Sequence, residues 1–348
     1  KDRSKLKAFV AILDQHQIET HRLRSNYDRF ESKNSYLVSL NQPQYRLIKS
    51  LFEQPTTFQD SLFYDVSAWT LPLAFDIPFM ALGQKSESLK GALITAKDIV
   101  ETAVSFAESN YAYAFEWHDY FAPALLFQLQ QSGLFTKVTT EPLTLKSGET
   151  LDRGTIIIPV ARQKMSSSQL HAYLALLSKK HNFVIHSIAT GLTEGVNLGS
   201  PKIQAISTPK PLLVVGKGVS PYEAGEVWHL LDQRMQMPLP MTTIDQINAM
   251  DLNPYNTLIM VNGSYSKLNK DKIKKWVMNG GTIIATKSAN KWTESAGLSK
   301  AKLIKSTKDT TIVQREYAHL SKHSGAQYIG GAIFNTSVDR THPLCFGL

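Results

Sequence analysis

Apolar positions in SKLKAFVAILDQ (4–15) recur at helical spacing and predict a helix. The next stretch, IETHRLR, alternates as a strand does, and KNSYLVSL (33–40) reads as a second strand. NQPQYRLIKSLFEQ (41–54) predicts a helix with Pro43 in its first turn, where the missing N–H does no harm. A similar order then returns. HDYFAPALLFQLQQSG (118–133) reads as a helix, LFTKVTTEPL and RGTIIIPV (153–160) as strands, and SSSQLHAYLALLSKKH (166–181) as a helix. Residues 4–54 and 118–181 thus share helix–strand–strand–helix order, whether as a degenerate internal repeat or as two copies of a common α/β unit. Between them SLFYDVSAWTLPLAFDIPF (61–79) is aromatic-rich and carries two prolines, so it is no single regular element; its aromatics read as packing groups.

From residue 211 the pattern changes. PLLVVG is a buried strand, SPYEAGEVWHLLDQR a helix, and MPLPMTTIDQINAMDL a short strand with a turn. YNTLIMVNGSY is a buried strand, LNKDKIKKWVMNGG a helix closed by glycines, and TIIATKSA another buried strand. Apolar strands alternating with amphipathic helices predict a parallel sheet with right-handed crossovers. KIQAISTPKP (202–211) reads as strand and then linker, which divides the chain into an α/β region, 1–208, and a parallel-sheet α/β domain, 209–348. The overall fold class is α/β.

The 348 residues are 43% hydrophobic and 19% charged, an ordinary globular composition long enough for two or three domains. No apolar run approaches the ~20 residues that span a bilayer, so no transmembrane segment is expected. The start, KDRSKLKAF, shows no signal peptide, and with the apolar end, THPLCFGL, it suggests a piece of a longer protein. The net charge is +9, concentrated in SYSKLNKDKIKKW (264–276) and around Lys300–Lys308. Without interleaved aromatics this reads as a solvated helix face and not a nucleic-acid patch. A nucleic-acid or anionic-polymer binder using the Lys-rich helix around 267–275 is a third reading. The single cysteine, Cys345, excludes an internal disulfide or a multi-cysteine zinc site.

The stretch GKGVSPYEAGE invites a phosphate reading, but the third glycine of G-x-G-x-x-G would fall on Pro221. Ser220 fits as a helix N-cap, with Pro221 at the first and Glu223 at the third helical position. Glu223 and Glu226 suit the positive end of the helix dipole and would repel a phosphate. This strand end, with Tyr222 and His229 on the following helix, and the strand end carrying Asn262, Ser264 and Tyr265, are candidate ligand or interface positions. Glu116, His118 and Asp119 form a second polar cluster, whose plainer reading is a helix cap. His16 and Glu19 spell the His-x-x-Glu of zinc carboxypeptidases; such a pair needs a rigid loop that aims both groups at one ion and a distant third His, whereas His16 sits at a helix end and Glu19 begins an alternating strand with His21. No H-E-x-x-H and no G-x-S-x-G occurs.

NQPQYRLIKSLFE, FQDSLFYDVSAWTLPLAF, GVSPYEAGEVWHLLD, WVMNGGTIIA and THPLCFGL resemble the C-terminal half of bacterial zinc-carboxypeptidase-like proteins. The resemblance implies a zinc-dependent catalytic domain ahead of this region, hydrolysis of peptide or amide bonds by the parent protein, and a periplasmic or secreted location. It also implies that residues 209–348 are similar to class I glutamine amidotransferases. There LIMVNGS (258–264) looks like the strand ending in the family's Pro-Gly-Gly turn, with Asn262 and Gly263 in its place. GGTIIATKSAN (280–290) looks like the strand that leads to the nucleophile elbow, where Thr286, Lys287 and Ser288 stand instead of a Cys.

The expectation is therefore a non-catalytic accessory region with no cofactor and no catalytic residue of its own, zinc belonging to the preceding domain. It would dock on that catalytic peptidase domain or bind a peptide or glycan. The alternative is an independent hydrolase using a Glu/His/Asp site near 116–119 or 226–229.

Overall fold

The computed structural model describes residues 2–54, 70–99, 105–301, 303–304, 316–326 and 333–348. It is an α/β fold, with one parallel and three antiparallel sheets among the described residues.

Helix α1 (Arg3–Gln15) starts at Asp2, whose carboxylate accepts the Lys5 N–H at 2.9 Å, and buries Phe9, Val10 and Leu13. Strand β1 (Thr20–Leu23) lies between β2 (Tyr36–Leu37) and β3 (Lys90–Ile94) in an antiparallel sheet. The stretch 33–40 pairs over only two residues. Helix α2 (Tyr45–Phe52) begins after Pro43, not around it, and buries Ile48 and Leu51; α3 (Leu71–Ala74) is a single turn. Of the aromatic-rich stretch, 61–69 lie outside the described residues. Phe75 meets Phe9 edge-on at 5.7 Å and Phe79 meets Phe52 at 5.9 Å, the packing role that apolar rings at this spacing favour.

The middle of the chain supplies β4 (Ala112–Phe115), α4 (Ala122–Gln131), β5 (Lys137–Thr139), β6 (Leu143–Thr144), β7 (Thr150–Leu151), β8 (Ile156–Pro159), α5 (Ser167–His181), β9 (His186–Ile188) and β10 (Ile203–Ala205). Five of these strands form an antiparallel sheet in the order β10-β5-β8-β4-β9. Alternation along β4 divides its side chains between two cores. Tyr113 and Phe115 pack with Leu125 and Leu129 of α4 and Leu170 and Leu174 of α5, while Ala112 and Ala114 pack with Leu143 and Leu151 of the β6–β7 hairpin. The order α1-β1-β2-α2 recurs as α4-β5-β8-α5 with that hairpin inserted, and both strand pairs are antiparallel. The sheet neighbours differ, because β1 is flanked by β2 and β3 and β5 by β10 and β8.

Residues from 211 fold into the parallel sheet β12-β11-β13-β14. Its elements are β11 (Pro211–Val215), α6 (Pro221–Trp228), β12 (Met241–Thr243), α7 (Ile244–Ala249), β13 (Thr257–Met260), α8 (Lys270–Met278), β14 (Thr282–Ala285) and α9 (Ala289–Ser295). The core holds Leu212–Val214, Leu258–Val261, Ile273, Trp276 and Trp292. Three readings of this part change. The helix expected to run to 234 becomes a π-helical turn over His229–Arg234. The turn expected after β12 is a helix, α7, with Thr243 and Gln246 forming a capping box. Strand β14 is an edge, not buried, and leaves Ile284 48% exposed. Two α8-region lysines bond backbone: Lys270 Nζ reaches Ser295 O at 3.1 Å and Lys272 Nζ reaches Asn248 O at 3.0 Å.

Further on lie α10 (Tyr317–Ala326) and a segment, 333–348, whose last residues return to the middle of the chain. Arg340 lies 3.8 Å from Asp152. Gly154 and Gly347 both adopt left-handed φ, +87° and +86°. A Cβ on Gly154 would come within 2.8 Å of Phe346, and one on Gly347 within 2.8 Å of the Trp117 carbonyl. Only glycine permits both the backbone angle and the contact.

Candidate functional site at the carboxyl ends of the parallel strands

Strand order reverses between β11 and β13, and in open α/β sheets the carboxyl ends at such a point form a crevice. Here the two loops are zipped together. Ser220 N–H donates to Asn262 O and Ser264 N–H to Gly218 O, both at 2.9 Å. Gly263 must be glycine for this, since a Cβ would sit 2.9 Å from Gly218 O.

Ser220 caps α6, as the sequence predicts, with its hydroxyl oxygen accepting the Glu223 N–H at 3.4 Å. Glu223 does not complete a capping box, because the Ser220 N–H is taken by Asn262 O. Its carboxylate instead accepts the Asn262 N–H at 3.0 Å and faces the Lys287 ammonium at 2.7 Å. The hydrogen bond from Lys287, then that from Asn262, holds the Glu223 carboxyl below the ordinary glutamate value. Lys287 stands at the corner between β14 and α9 with φ +47°, a left-handed angle that costs a non-glycine residue about 1 kcal/mol or more. Next to it, Ser288 Oγ accepts the Gly263 N–H at 2.8 Å and donates to the Asn262 side-chain oxygen. Three loops are therefore tied by one carboxylate, one hydroxyl and one ammonium.

Of the predicted positions, Ser220, Glu223 and Asn262 meet here, and Ser264 contributes its backbone. Tyr265 is 2% exposed and donates its hydroxyl to Val261 O at 2.7 Å, so it packs beneath the loop and does not face a ligand; burial pushes its pKa up to about 12. Tyr222, Glu226 and His229 are exposed and make no side-chain bond to this corner among the described residues. Lys287 and Ser288 carry the site as much as Glu223 does. Their sequence signal was the Thr-Lys-Ser between an apolar strand and a helix.

The second cluster brings Glu116 and His118 together but commits Asp119 to other partners. Glu116 Oε1 accepts the Asp152 N–H at 3.4 Å and Oε2 lies 3.5 Å from His118 Nδ1. Asp119 accepts the Phe121 N–H at 2.8 Å and the Ser4 hydroxyl at 2.7 Å, which caps the turn before α4 and ties it to α1. Burial raises the pKa of Asp119. His16 is the C-cap of α1, while Glu19 reaches toward His21 at 3.4 Å, so the two do not face a common point. Among the described residues, no three His, Cys, Asp or Glu side chains are grouped as a metal site would need, and no helix is long and apolar enough to cross a membrane. No family model, curated protein or solved structure matches the chain.

Proposed function

We propose that this chain is a non-catalytic accessory region of a zinc-carboxypeptidase-like protein, whose parallel-sheet domain keeps an amidotransferase-like strand–corner–helix as a structural lock. The parent protein would hydrolyse peptide or amide bonds through zinc held by a preceding catalytic domain, in the periplasm or outside the cell. This region would dock on that domain or bind its peptide or glycan substrate.

One observation carries the reading: at the corner where such a glutaminase needs a thiolate stands Lys287, paired with Glu223 at 2.7 Å. A protonated, ion-paired ammonium has no lone pair to attack an amide. The backbone N–H groups of Asn262 and Gly263, the kind of donors that stabilise an oxyanion, are taken by Glu223 and Ser288.

The test assays the purified 348-residue chain for ammonia release from glutamine, and for zinc content with hydrolysis of a blocked dipeptide bearing a free carboxyl terminus. The expected result is background rates and substoichiometric zinc. Glutamine hydrolysis lost in Lys287→Met or Ser288→Ala, or about one zinc per chain with peptide hydrolysis, would overturn it.

A further inference from the structure

Beside the corner, a pocket of about 490 Å³ opens along α6, walled by Val215, Val219, Pro221, Gly225, Trp228 and Met241. This volume falls within the range of small-molecule sites. Two features of its wall have no packing explanation. Gly225 sits inside α6, where glycine costs about 1 kcal/mol relative to alanine. Its φ is not left-handed, and a Cβ there would meet nothing within 4 Å. Nothing in the fold asks for glycine at 225, and its bare, exposed backbone forms part of the pocket lining. The second feature follows three residues later. At Trp228 the helix widens into the π turn His229–Arg234, closed by the Met235 N–H on Leu230 O at 3.0 Å. Such turns are rare and concentrate at functional sites. This one begins at the indole that forms the pocket wall.

We infer that this pocket is a binding site for an uncharged aromatic ring carried on a small molecule. None of the residues that wall it is ionisable, so a charged ligand would be desolvated without a counter-ion. Trp228 and Pro221 offer flat apolar faces for ring stacking, and Met241, 52% exposed at the rim, offers a thioether to a ring edge. Ser220, also in the lining, accepts the Glu223 N–H and keeps its hydroxyl proton to donate to a ring substituent. The inference goes beyond the accessory reading and does not depend on it, since the pocket uses the α6 side of the Ser220 loop and not the Glu223–Lys287 pair.

The test titrates the full chain with N-phenyl-1-naphthylamine, a neutral aromatic fluorophore. A saturable signal with one site per chain is expected. Gly225→Leu, which fills the cavity from the helix, and Met241→Trp, which blocks its mouth from the edge strand, should each weaken binding at least tenfold. Thermal unfolding of both variants reports whether each remains folded, and Met241→Trp decides alone if Gly225→Leu does not. Absence of a saturable signal, or equal affinity in the folded variants, would overturn the inference. Because neither variant touches Lys287 or Glu223, failure here leaves the glutaminase result unaffected.

Discussion

Glu223 and Lys287, 64 residues apart in the chain, meet at 2.7 Å across the carboxyl ends of two strands that are not neighbours in the sheet. The carboxylate is largely covered, at 17% exposure, whereas the ammonium is 68% exposed. The pair is therefore worth less than its distance suggests, because water screens the lysine.

A double-mutant cycle of Glu223→Gln and Lys287→Met should give a coupling of about 0.5–1 kcal/mol in urea unfolding at low salt, falling as salt rises. Since the folded state lowers the Glu223 pKa, the acid binds protons more weakly folded than unfolded. Its contribution is whole above the ordinary glutamate value and is lost as pH falls through the lowered folded value. Glu223→Gln should flatten stability across that acidic window. An unchanged pH profile would count against the pair.

Asp119 gives the opposite sign. Burial raises its pKa, so the native state binds the proton more tightly and stability falls as pH rises from the ordinary aspartate value through the raised one. Asp119→Asn keeps an oxygen for the Phe121 N–H, and its amide NH2 can donate to the Ser4 hydroxyl oxygen in place of accepting from it, without the buried charge. Its melting temperature should exceed that of the parent chain at pH 7, with the gap closing as pH drops.

Tyr265→Phe removes the hydroxyl hydrogen that reaches Val261 O, an acceptor on a residue 1% exposed. The expected loss is about 1–2 kcal/mol of unfolding free energy, with the fold retained. Absorbance titration should also show one tyrosine that ionises only near pH 12 in the parent chain and is missing in the variant.

Cys345, the only cysteine in the chain, reports on how firmly its segment is held. Phe346 and Gly347 pack against Gly154 and Trp117, and Cys345 is half-buried and lines a small pocket with Phe346, Gly347, Arg340 and Asp152. Phe346→Ala should raise the labelling rate by a neutral aromatic disulfide several-fold, and Gly154→Ala should do the same by clash. Rates equal to the parent chain would show that the segment is not held there.

The sequence alone determined the local features. The runs LLVV and TLIM are too apolar to be anything but covered strands between helices, and Ser220-Pro221 starts a helix because the serine hydroxyl satisfies an N–H and proline lacks one. These depend on residues within a turn or two of each other. What Glu223 binds was decided only by tertiary structure. Its place in the first turn suits its own helix dipole, but strand order brings Asn262 and Lys287 closer, and two direct donors outweigh a diffuse dipole. The same holds for TIIA, whose apolarity fits a covered strand: only its place at the sheet edge leaves Ile284 exposed. It holds too for Phe346, whose partner Gly154 lies nearly two hundred positions away. Hydrophobic period and capping report on neighbours in sequence, whereas ion pairs, edges and clasps are set by which distant loops the sheet order brings together.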